Sequence, residues 1–174
     1  MGLDMYLNRR KYIGNKWKKP EEQATIIAKD VDQAKVSEVV EEVGYWRKAN
    51  AIHKWFVDHV QNGNDDCKEY HVTNEQIKEL LDAVTTVLVT AKLVKGKVCN
   101  GYTFKDGKEI PMLEDGMVIQ DPIVAQTVLP TTKGFFFGGT DYDEYYVEDL
   151  KETKKILEDA VKNETADYYY QSSW

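Results

Sequence analysis

An α+β fold is predicted for this chain: a mostly antiparallel sheet of about four strands, three helices packed on it, and a small hairpin insertion at 95–122. Three observations predict it. Apolar residues alternate near both ends, in "GLDMYLN" and "ADYYYQSSW", which is strand rhythm. Three intervening stretches carry apolar residues at helical spacing. The piece between the second and third of these is broken by glycines and turn residues into short apolar runs, as a hairpin would be. Layers of this kind, helices on one face of a sheet, suit a single domain spanning 1–174.

Each element has its own warrant. In the first strand Leu3, Met5 and Leu7 lie on one side and Asp4 and Tyr6 on the other. "RRKYIGNKWKKPEEQ" reads as a polar connector. From about Val36 to Val60, Val36, Val39, Val40, Val43, Trp46, Ala49, Phe56 and Val60 predict one long helix, with Gly44 in its middle as a kink, a split or a close approach of another backbone. "CKEYHV" reads as a short strand. Thr73 with Gln76 three residues on forms a capping box for a helix that buries Ile77, Leu80, Leu81, Val84, Leu88 and Ala91. "KDGK" suits the hairpin turn, and "GFFFGG" an aromatic strand bounded by glycines. Thr140 and Asp141 are cap candidates for the last helix. Its first turn is acidic, and its stripe is Tyr146, Leu150, Ile156, Leu157, Ala160 and Val161.

The totals exclude several classes. No apolar run spans a membrane and no signal segment opens the chain. Without an export signal, Cys67 and Cys99 are expected as free thiols. A net charge of −7 opposes a grip on duplex nucleic acid. The charge is uneven: residues 1–19 carry +5 and the remainder −12. That cationic start either meets an anionic ligand or pairs with the chain's own acidic groups.

The stretch "GYWRKANAIHKWF" holds the candidate site. On a helical wheel Asn50 and His53 fall among the inward residues, and Trp55 falls on the outer face. Buried polar groups need partners. Asn50 and His53 therefore either bond neighbouring strands or line a cavity that holds a polar guest. Trp55 is a candidate contact for another protein.

Catalytic and cofactor chemistry is poorly represented. His53, His59, Cys67 and His71 lack zinc-ligand spacing, and "DYDEYYVED" lacks the glycine and terminal glutamate of a calcium loop. "GFFFGGT" is not a Walker loop, and no Gly-x-Ser-x-Gly occurs. Cys67 and His71 would stand more than about 12 Å apart on a strand, too far to bond. No metal, cofactor or catalytic residue is assigned. Binding chemistry is better supplied by "LPTTKGFFFGGTDYDEYY", which joins hydroxyls, a lysine, glycines and aromatics before a helix.

"MGLDMYL", "YWRKANAIHKWF", "GFFFGGTDYDEYYVEDL" and "YQSSW" together resemble a family of small bacteriophage and bacterial proteins. Some members carry a phosphoglycerate-kinase label, which nothing here supports, since the chain is far too short for that two-domain enzyme. The resemblance implies the cytoplasm of a bacterial host and no established catalytic residues. Some phage proteins of this size sequester nucleotide signals of host immunity, and the expected function follows that analogy.

The expectation is a non-enzymatic, oligomeric binding protein for a small anionic ligand, a nucleotide-type signal being the leading class and a cyclic nucleotide one form of it. Arg9, Arg10 and Lys133 would meet phosphate. Trp46, Tyr142 or Tyr145 would stack on a base, and Asn50, His53, Thr131 and Thr132 would read polar edges; Arg47 completes the set. The alternatives are a nucleotide-directed hydrolase or transferase with His53 as base, and an inhibitor of a host protein acting through Trp55.

Overall fold

The computed structural model describes residues 2–105, 107–163 and 165–174. The predicted α+β class is what it shows. The main sheet has four antiparallel strands in the order β2-β1-β6-β3: β1 (Asp4–Tyr12), β2 (Glu38–Arg47), β3 (Tyr70–Val72) and β6 (Asp167–Ser173). A separate two-stranded sheet pairs β4 (Leu93–Lys105) with β5 (Lys108–Ile119). This is the expected hairpin, two residues longer at its start; the "KDGK" turn includes Asp106 and so lies outside the described residues. The helices are α1 (Asn50–His59), α2 (Asn74–Thr90), a short α3 (Ile123–Val128) and α4 (Glu144–Ala160).

One face of the sheet is dry. Met5 and Leu7 of β1 stand in register with Trp46 and Gly44 of β2, and with Ser172 and Tyr170 of β6. All of these are buried. The Tyr170 ring stacks on Phe56 of α1 with centroids 3.9 Å apart. The other face keeps Tyr6 and Tyr45, with the Tyr45 hydroxyl donating to Asp4. Period-2 alternation at the chain ends therefore reported a half-buried sheet correctly.

The long helix over 36–60 is the main correction. Its first half is strand β2, and only Asn50–His59 is helical. The cause is a bulge: Leu7 pairs with Gly44 and Asn8 with Glu42, so Val43 is an extra residue. One extra residue breaks the two-residue alternation, and the spacing of Val39, Val43 and Trp46 then imitates a helix. Gly44 is required by packing. A Cβ there would lie 2.7 Å from Ile156 Cγ2 of α4, which crosses β2 at this point.

Residues 13–37 are ordered by one side chain. Asn15 is fully buried, donates to the carbonyls of Ala24 and Gln33, and accepts from the Ala24 amide. Three short 3-10 turns are hung on this post. The capping box at Thr73 and Gln76 is present. The last helix is capped by Asp143, whose carboxylate accepts from the Tyr146 amide at 2.9 Å; Thr140 and Asp141 precede it. No helix among the described residues is long and apolar enough to cross a membrane.

Candidate functional site

β2 ends at Arg47, and the chain turns sharply into α1 through Lys48, held in the left-handed region at φ 62°. A lysine in that conformation costs about 1 kcal/mol or more. The turn is held by the Lys48 amide donating to the Leu3 carbonyl at 2.8 Å, and by Gly138 (φ 90°), where a Cβ would meet Lys48 Cβ at 3.1 Å. Asn50 then clamps the loop that carries Gly138. Its amide nitrogen donates to the carbonyls of Gly139 (2.7 Å) and Phe137 (3.2 Å), and its oxygen accepts from the Thr132 amide (3.0 Å). This use of carbonyls 137 and 139 is one reason that "GFFFGG" is a turn and not the expected strand. Phe137 alone is buried; Phe136 sits at φ 60°, and both it and Phe135 face outward.

His53 is closed off as well. Its Nε2 lies 3.0 Å from Asp65 Oδ2 and its Nδ1 2.8 Å from the Tyr170 hydroxyl. With Asp65 accepting at Nε2–H, the Tyr170 hydroxyl donates to Nδ1. Phe137 meets the imidazole edge-on at 5.1 Å, and Trp174 Nε1 donates to the other Asp65 oxygen. Burial, followed by the Asp65 charge, raises the Tyr170 hydroxyl well above its ordinary pKa. At 1% exposure the imidazole has no route to a substrate, so the predicted polar-edge or general-base role fails on access.

An opening nevertheless lies beside Asn50. A cleft of about 560 Å³ runs between the Arg47–Lys48 corner, the start of α4 and the root of the hairpin. Arg47 and Lys48 supply its cations and make no ion pair among the described residues. Glu114, Asp141, Asp143 and Asp149 supply its carboxylates. Cys99, Asn100, Gly138, Gly139 and Asp141 continue the opening into a second lobe of about 500 Å³, which adds Tyr102, Glu109 and Lys133.

The electrostatics of this cleft are skewed. Asp149 is pushed up to about 7, first by burial and then by the neighbouring charges of Asp143, Glu152 and Glu148. Burial also raises Asp143, against the lowering effect of the Tyr146 amide bond. Asp141 accepts from the Cys99 amide at 2.5 Å and so ties the hairpin root to the cleft wall. Because Asp143 already caps α4, the helix N-terminus is not open to a phosphate.

The predicted residues divide sharply. Arg47, Asn50, Thr131 and Tyr145 meet in the main cleft, and Lys133 in the second lobe. Thr132 and Tyr142 stand just behind, the first bonded to Asn50 and the second accepting from the Thr131 amide. Arg9 and Arg10 do not join them. Arg9 pairs with Glu41, and Arg10 pairs with Glu69 while stacking on Tyr169. Trp46 is a core residue whose Nε1 donates to Thr153. Trp55 is buried, stacked on His59 at 4.6 Å, and presents no contact surface.

Lys48, Asp149 and the hairpin residues Cys99, Asn100 and Glu114 were missed. Only Lys48, adjacent to Arg47, carried a local signal. Among the described residues no group of three or more His, Cys, Asp or Glu is placed to hold a metal. Cys67 and Cys99 are free thiols. Comparison with protein-family models, with curated proteins and with solved structures finds no match to this chain.

Proposed function

We propose that this protein is a binding protein for a small nucleotide-type ligand, held in the cleft between the Arg47–Lys48 corner, α4 and the hairpin root. The carrying observation is the polarity of that cleft: two cations at the Arg47–Lys48 corner, unpaired among the described residues, face carboxylates from β5, from the segment before α4 and from α4 itself. A ligand with one anionic group and several N–H donors satisfies both sets. A phosphodiester brings a single negative charge for Arg47 and Lys48, and base or ribose donors suit Asp141 and Asp149. Four carboxylates disfavour a triphosphate, whose charge they would oppose. Tyr145 and Tyr102, exposed at the two lobes, offer faces for stacking. A cyclic nucleotide is thus the class best matched. Together with the resemblance to phage proteins, this supports sequestration of a nucleotide signal inside a bacterial host.

Thermal unfolding with a panel of cyclic and linear nucleotides tests the reading. A ligand at a hundred times its dissociation constant adds about 2.7 kcal/mol, or roughly 5–10 °C for a chain this size. Cyclic mono- and dinucleotides are expected to exceed nucleoside triphosphates, and the ligand is expected to be recovered unaltered. No shift with any member removes the proposal. An altered ligand would favour the enzymatic alternative, with Asp149 in place of His53 as the acid–base group.

A further inference from the structure

The main cleft and the second lobe share one wall. Cys99, Asn100, Gly138, Gly139 and Asp141 line both, so the spaces of about 560 and 500 Å³ adjoin. Each alone has the size of a small-molecule site. Each also carries the same three kinds of group. The main cleft has Arg47 and Lys48, the exposed ring of Tyr145, and Asp149; the second lobe has Lys133, the exposed ring of Tyr102, and Glu109. Lys133, like the first two cations, makes no ion pair among the described residues. The other carboxylates of the walls are engaged: Asp141 accepts from the Cys99 amide, Asp143 caps α4, and Glu114 accepts from Asn100. The shared wall is free of side-chain bulk at Gly139, where a Cβ would meet no atom within 4 Å.

We propose that one ligand spans both lobes, and that it is a dinucleotide with two phosphodiester groups and two bases, one of each in each lobe. This rests on the nucleotide reading of the cleft and sharpens it. A duplicated set of cation, aromatic face and carboxylate matches a ligand whose own groups repeat. In the main cleft Arg47 and Lys48 meet one phosphodiester, Tyr145 stacks on one base, and Asp149 accepts from its N–H groups. In the second lobe Lys133, Tyr102 and Glu109 do the same for the other half. The link between the halves crosses at Gly139, where no side chain stands in the way. A mononucleotide fills one lobe and leaves the other set unused. Joining two such units makes the second contact intramolecular, which raises affinity by about 10²–10⁴-fold without a new kind of contact. Two separated single charges also suit these walls better than a run of phosphates in one lobe, which the nearby carboxylates would oppose.

Titration calorimetry of the full chain provides the test, with cyclic di-GMP and cyclic di-AMP beside cyclic GMP and cyclic AMP. The readout is the ratio of dissociation constants, each mononucleotide against its matching dinucleotide. At least one dinucleotide is expected to bind one per chain and ~100-fold more tightly than its mononucleotide. Lys133→Ala and Gly139→Val are expected to bring that ratio below about 10, the first by removing the second cation and the second by obstructing the crossing. Lys133 is exposed and a Cβ at Gly139 meets no atom, so both variants should fold, which circular dichroism checks. A parent ratio below about 10 overturns the spanning ligand and leaves the nucleotide reading of the main cleft in place. A ratio that either variant leaves unchanged does the same. Failure of all four to bind overturns it as well, and the nucleotide reading then rests on the wider thermal panel.

Discussion

The two sides of α1 contrast in how they treat polar groups. Around His53 both ring nitrogens have a partner: Asp65, the Tyr170 hydroxyl and the Trp174 indole close one network. Around Arg47 and Lys48, less than two turns away along the chain, charges face an open cleft and Asp149 stands in it with a displaced pKa. A buried network fixes a fold, while an open and electrostatically strained group is available to a ligand. The histidine that stands out in the sequence is sealed, whereas the Arg47–Lys48 corner is open.

Asn50 sits on the boundary, and its removal is the harshest way to break the contrast. Asn50→Ala leaves the Thr132 amide and the carbonyls of Phe137 and Gly139 without their partner. We expect a loss of about 3 kcal/mol in urea unfolding, together with weaker ligand binding as the 131–139 loop loosens. If stability is unchanged, Asn50 is not the clamp described.

Asp149 sharpens the open side. Its carboxyl titrates near 7 in the folded chain against an ordinary value of 3.8, so between these limits the folded state binds more protons than the unfolded one. Stability therefore falls as pH rises from about 4 to about 7 and levels above, on account of this group. Asp149→Asn should remove that slope and stabilise the protein at pH 8 by on the order of 2 kcal/mol, a figure reduced for the water that a cleft wall retains. Unfolding curves for parent and variant at pH 4, 6 and 8 check it, and parallel profiles would contradict it.

Arg47→Ala should give the smallest change in stability, within about 0.5 kcal/mol, because the side chain makes no ion pair among the described residues. Titration calorimetry with the nucleotide found in the thermal panel should nevertheless show affinity falling ~10-fold or more. Equal affinity would move the anion site away from this corner.

Much of the architecture could be read in advance. Alternation at Leu3–Leu7 and Tyr168–Ser172 marked the sheet, Thr73 and Gln76 marked α2, and the turn-rich 95–122 marked the hairpin. β2 was hidden because the bulge at Val43 disguises its period. The site was half legible. Asn50, Thr131 and Lys133 stood out as polar residues in apolar or glycine-rich settings. The carboxylate of Asp149 did not, since on a helical pattern it looks like any solvated face. It is half-buried in the cleft wall between the Arg47–Lys48 corner and the hairpin root. Asp65, in a turn after α1, likewise gave no sign that it would meet His53.

The strand order has a kinetic consequence. Among the described residues β3 pairs with β6 alone, and Tyr70 pairs with Tyr170, a hundred positions downstream. The loop-closure entropy of so distant a pairing must be overcome before its contacts are gained. On a ribosome, α2 and the β4–β5 ribbon can therefore organise early, while β1 and β3 wait with open edges for a strand that separates them. Slow maturation, and a demand for protection of those edges in the interval, follow from topology alone.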